Sequence, residues 1–155
     1  MEREEEKQEI LSALQSNRHV QDMKKYTHHG KVSTFEHCEK VANLSYEIDK
    51  SLSLNADLNV LLMGAMLHDF YLYDWHECDD GRHRLHGFKH ASTANENARK
   101  YFAVDDKTSH VILSHMWPLN IKKLPCSKEA WIVWAVDKIV SIDETLFRRK
   151  SQECA

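Results

Sequence analysis

Four glycines and two prolines punctuate 155 residues, and that scarcity most constrains the fold. An all-β chain needs a turn roughly every 8–12 residues, and turns draw heavily on glycine and proline. With so few breakers, and with Leu, Ala, Glu and Lys common, the chain is read as helical throughout. A charged segment over residues 3–15 carries Ile10, Leu11 and Leu14 on one face, and a shorter helix over 17–26 follows through Val20, Met23 and Tyr26. THHGK breaks the pattern. Ser33 and Glu36 have capping-box spacing and open a helix to Ser51, with His37, Val41, Leu44 and Ile48 facing inward. Asn55 or Asp57 caps the next helix, through Leu61, Leu62, Ala65, Met66 and His68. DWHECDDGRHRLHG is a polar loop. Helices follow over 90–102, from Asp105 or Asp106 to near Pro118, and from 128 to about 147. The last is apolar on several sides and is expected to be central.

The bulk numbers exclude several classes. The formal charge of −3 is mixed along the chain and argues against nucleic-acid wrapping or polybasic membrane binding. No apolar run approaches the roughly 20 residues that span a bilayer. The charged start MEREEEKQEI is unlike a secretory signal, and the four scattered cysteines fit reduced thiols, so a cytoplasmic location is expected. The length suits one domain over 1–155, with a core over about 30–145 and an N-terminal extension over 1–29.

Against this background, LMGAMLHDFYLYDWH (62–76) stands out, because His68 and Asp69 interrupt an apolar run. Asp137 raises the same question inside AWIVWAVDKIVSI, and His37 lies on the apolar face of its own helix. A buried ionised carboxylate costs several kcal/mol unless it is paired or metal-bound. Taken singly, each residue has an ordinary reading: a satisfied core histidine, or an aspartate paired with a cation. Together, four ligand types lie in order on three core helices, with His90 and His115 at the edges of two more. Imidazole and carboxylate suit transition metals, and adjacent His68 and Asp69 can reach in from one turn, with Asp69 the candidate bridge between two ions.

The order His37, His68-Asp69, Asp137, in TFEHCEKVA, LHDFYLYD and WAVDKIVS, resembles the HD-domain metal-dependent phosphohydrolase superfamily. The resemblance covers about 30–145. It implies an all-α helical bundle with a metal site between central helices. In family members with dinuclear sites, such as the diadenosine tetraphosphate hydrolase type, two further histidines complete the set, and His90 and His115 stand in their places. His86 is a rival for His90; His90 is favoured as the residue expected to open a helix and followed four residues later by Ala94. The implied activity is hydrolysis of a nucleotide or other small phosphate mono- or diester by a metal-activated hydroxide. The implied ligands are His37, His68, Asp69, His90, His115 and Asp137. Two divalent ions are expected, Fe or Mn first, with Zn, Co, Ni or Mg as alternatives.

The remaining roles are looser. Asp69 is the central catalytic ligand, while His86 and Lys89 are candidates for assisting the leaving group. Arg84, Lys89 and Lys122, with Arg82 and Lys123 nearby, are candidate phosphate contacts against the plainer reading of surface charge. His76 and His83 read better as loop residues. Phe70, Tyr71, Tyr73, Trp75 and Trp117 form either a stacking wall or core, and Cys38 reads as packing. Two rival functions share the site: an HD-fold di-iron oxygenase, and a non-catalytic nucleotide-sensing module. The expected partner is a small phosphorylated molecule, with no nucleic acid and no membrane. A homodimer through the apolar face of the N-terminal helix is an alternative to packing of that face on its own domain.

Overall fold

The computed structural model describes residues 2–29, 31–73 and 86–153. The fold is all-α. The described helices are α1 (Glu2–Ser16), α2 (Arg18–Asp22), α3 (Thr34–Ser51), α4 (Leu58–Leu67), α5 (His86–Tyr101), α6 (Asp106–Ser114) and α7 (Lys128–Glu153). A 3-10 turn over Met23–Lys25 and a two-stranded antiparallel hairpin, β1 (Thr27–His29) and β2 (Val32–Ser33), join α2 to α3.

Caps fix the starts of the helices that build the centre. Ser33 Oγ accepts from the Glu36 backbone N–H, and the Glu36 carboxylate accepts from the Ser33 N–H, so the expected capping box is present. Asp57, rather than Asn55, caps α4 through the Val60 N–H, and Asp105 caps α6 through the Thr108 N–H. A carboxylate here also suits the positive end of the helix dipole.

The central helix is α4, not α7 as the sequence suggests. It packs on α1, α3, α6 and α7, and LNVLLMGAML is buried at eight of its ten positions. Leu61, Leu62 and Ala65 face one apolar cluster with Val41, Tyr46, Val111 and Val133; Met66 and Leu67 face another with Phe35, Ala94 and Ile112. By contrast, α7 leaves Trp131, Ile139, Ile142 and Leu146 exposed, so its broad apolarity does not reflect all-round burial. The inward face of α3 is also rotated slightly from the expected one. His37 and Val41 are buried with Cys38, Ala42, Ser45 and Tyr46, while Leu44 and Ile48 lie at its margin. Gly64 permits a close approach of α4 and α6, since a Cβ there would stand 2.5 Å from Val111 Cγ1. That approach brings together the C-terminal ends of the two helices, and each end carries a histidine.

Candidate metal centre

Two histidines reach the centre by the same local device. His68 caps the end of α4, and its Nδ1–H donates back to the Ala65 carbonyl at 2.7 Å. His115 caps the end of α6, and its Nδ1–H donates to the Ile112 carbonyl, also at 2.7 Å. A carbonyl oxygen only accepts, so Nδ1 carries a hydrogen in both rings and Nε2 is the nitrogen turned toward the centre. His37, from α3, repeats the arrangement with a side chain as acceptor. Its Nδ1 lies 3.1 Å from Glu144 Oε2.

The three Nε2 atoms point inward at carboxylates. His37 Nε2 is 3.2 Å from Asp137 Oδ1, and His68 Nε2 is 3.7 Å from the same oxygen and 3.6 Å from Asp69 Oδ2. His115 Nε2 lies 3.5 Å from Asp69 Oδ1 and 2.9 Å from His90 Nε2, which is itself 3.3 Å from Asp69 Oδ1. Two groups with metal-ligating spacing result: His37, His68 and Asp137, and Asp69, His90 and His115. All six side chains are buried. Among the described residues, His68 Nε2 and Asp69 Oδ1 are buried without any hydrogen-bond partner. Buried imidazole nitrogens turned toward carboxylate oxygens are the ligand types of a transition-metal site, so the donor set fits a divalent ion.

Charge around the centre is sharply polarised. Burial pushes Asp69 up, but His68, His28 and His90 outweigh it and hold the carboxyl well below the usual carboxylate range. Asp137 behaves likewise, its burial outweighed by His37, His68 and Lys138. Burial, reinforced by the neighbouring His68, pushes His115 down to about 3, which suits a neutral ligand. Lys138 Nζ donates to Asp137 Oδ2 at 2.7 Å and to the His115 carbonyl at 3.0 Å, tying α7 to the end of α6.

The chain after Asp69 is stitched to α5, because the Asn97 side-chain amide donates to the carbonyls of Phe70 and Tyr71 at 3.0 and 3.2 Å. Phe70 packs on Tyr101 and Phe102 in the core, Tyr71 is buried at 6.1 Å from the His90 ring, and Tyr73 is half-buried beside Tyr71. Trp117 stacks edge-on with Trp131 and Trp134. Burial pushes the Cys38 thiol up, as expected of a packing group.

Other expected site residues are placed differently or fall elsewhere. The helix carrying His90 begins at His86, so His90 sits one turn inside it and does not open it, contrary to expectation; it is nonetheless His90 that meets Asp69 and His115. Lys89, Lys122 and Lys123 are exposed. Trp75, His76, Arg82, His83, Arg84 and the His86 side chain lie outside what is described.

Sequence reasoning missed two participants. His28, on the hairpin, places Nε2 2.9 Å from Asp69 Oδ2 and stacks on His37 with ring centroids 3.7 Å apart. Burial opposes its charge, but Asp69 and Glu144 overcome that and push it up to about 9. Glu144 lies two helical turns after Asp137 on α7, a spacing that could have flagged it. The hairpin offered no comparable signal. No described helix is long and apolar enough to cross a membrane. A family model described as HD domain matches residues 34–141, more than half of the chain. No curated protein and no solved structure matches.

Proposed function

The chain belongs to the HD-domain family, and on that premise we propose that it is a dinuclear metal-dependent phosphohydrolase acting on a small phosphate ester, a nucleotide by preference. One observation carries the reading: three histidines each anchor Nδ1 on an acceptor and turn Nε2 toward Asp69 or Asp137. His37, His68 and Asp137 would hold one ion, His90 and His115 the other, and Asp69 would serve both. When bound, such ions supply Lewis acidity, lowering the pKa of a water and drawing charge from phosphate oxygens. The side chains do the rest. Buried Asp69 and Asp137 stay ionised to hold positive charge. Lys138 occupies Oδ2 of Asp137 and leaves Oδ1 facing His37 and His68. The apolar walls of α4 and α6 exclude bulk water, which strengthens every electrostatic contact inside. In this reading His86 assists the leaving group, and Arg84, Lys89 and Lys122 bind phosphate oxygens. The use of two ions places dinucleoside polyphosphates and phosphodiesters first among candidate substrates.

The test is phosphate or nucleotide release from a substrate panel with Mn, Fe or Co, set against Asp69→Ala. We expect turnover in the parent protein, background rates in Asp69→Ala, and little change in helical circular dichroism. Retained turnover in that variant sinks the reading. Substrate-dependent oxygen uptake without phosphate release would replace it with the oxygenase alternative. Ligand-dependent stabilisation without any turnover would replace it with a sensor.

A further inference from the structure

Beside the two groups already described lies a third with metal-ligating spacing: His28, His37 and Glu144. Glu144 is buried on α7, with Oε2 3.1 Å from His37 Nδ1 and 3.8 Å from His28 Nδ1, and with Oε1 3.4 Å from Lys40 Nζ. His28 stacks on His37 and turns its other nitrogen to Asp69 Oδ2 at 2.9 Å. His28 and Glu144 both fall outside the span matched by the family model.

Two arrangements suit these atoms, a third ion or a brace of side chains, and imidazole chemistry separates them. If His37 gives Nε2 to an ion beside Asp137, an ion at Nδ1 requires removal of the last ring proton. Imidazole ligands ordinarily keep that N–H and donate it to a carboxylate, a carbonyl or water. A carboxylate accepting from Nδ1–H needs no such step, and it makes Nε2 a better donor. Resting on the assignment of His37 as a metal ligand, we infer that Glu144 is a positioning residue that holds His37 from behind. His28 extends the brace to Asp69. The second lone pair of Asp69 Oδ2 stays available to an ion, so the brace and a bridging carboxylate are compatible. Glu144 thus backs His37 directly, while His28, stacked on that ring, reaches Asp69 on its other side.

The test uses the full chain and a pair of volume-matched variants, Glu144→Met and Glu144→Gln. Equivalents and affinity of Mn²⁺ and Co²⁺ are read by equilibrium dialysis, and the visible Co²⁺ spectrum reports ligand geometry. We expect the parent protein to bind two equivalents. Glu144→Met should weaken one of them by roughly 10–100-fold with an altered Co²⁺ spectrum. Glu144→Gln keeps an acceptor oxygen and should recover most of the loss. Two equivalents in the parent with unchanged affinity in Glu144→Met would overturn the brace alone. Three equivalents in the parent, one of them lost in both variants, would make Glu144 a direct ligand and overturn it too. A parent protein that binds no ion would remove both the brace and the proposed function.

Discussion

The two halves of the centre are built differently. His37 and Asp137 come from within α3 and α7 and lie 100 residues apart in sequence, His68 caps α4, and each is backed from behind. Glu144 holds His37, the Ala65 carbonyl holds His68, and Lys138 holds Asp137. Asp69 follows the end of α4, His115 caps α6 and His90 lies one turn into α5; the Ile112 carbonyl holds His115, and the hairpin's His28 meets Asp69. A ligand fixed by a packed helix and a partner behind it loses less freedom on binding than one at a helix end. The first half is therefore expected to bind its ion more tightly and to release it last to a chelator.

Single-ligand variants press hardest on that contrast. His37→Ala should cost more than the roughly 10–100-fold in affinity that losing an outer partner costs, and should leave at most one ion per chain. His90→Ala should leave the first half loaded. Elemental mass spectrometry on desalted protein checks both, and the contrast breaks if His90→Ala empties both halves while His37→Ala empties neither. The spacing between the halves comes next. Gly64→Ala drives a methyl into Val111 and should destabilise by about 1–3 kcal/mol, with recovery in the Gly64→Ala/Val111→Ala pair as measured by thermal melts. Lys138→Met frees Oδ2 of Asp137 and should weaken metal binding about tenfold, chiefly in the first half, by competition with a fluorescent chelator.

The smallest effect tests the far end of α6. Hydrogen bonds from Thr108 hold the Asp105 carboxyl below its ordinary value of 3.8. A lowered folded pKa means that the cap stabilises above the unfolded value and fades as pH falls through the folded one. Asp105→Ala should therefore cost about 1 kcal/mol at pH 7, and the difference from the parent should shrink toward pH 3 in melts of the metal-free protein.

What the sequence made legible was local chemistry. Ser33 and Glu36 are three residues apart, so their capping box depends on nothing distant. The six ligand-type residues were visible because polar groups in apolar helices demand an explanation, and the structure brings their side chains together. What the sequence hid depended on distant contacts. The hairpin is held partly by the Thr34 N–H on the Tyr26 carbonyl and by Thr34 Oγ1 against the Tyr71 hydroxyl. Periodicity in THHGK could not announce those contacts, and His28 was missed with them. Glu144 read as one charge among many in SIDETLFRRK, because a solvated and a buried carboxylate look alike until a facing helix is placed. The centrality of α4 was obscured because α7 is longer and carries tryptophans that remain partly exposed.

Those tryptophans have an optical consequence. Trp117 lies two residues after His115 and accepts through its carbonyl from Trp134 Nε1–H, and with Trp131 the three indoles form one edge-on cluster. Ring-to-ring separations of 5.3–5.8 Å let excitation pass among them, so they emit nearly as one chromophore. A paramagnetic ion bound in the centre, near His115 and Asp137 that flank the cluster in sequence, would be expected to dim that chromophore. Quenching on addition of Mn²⁺ or Co²⁺ would then give a label-free gauge for the filling of the centre.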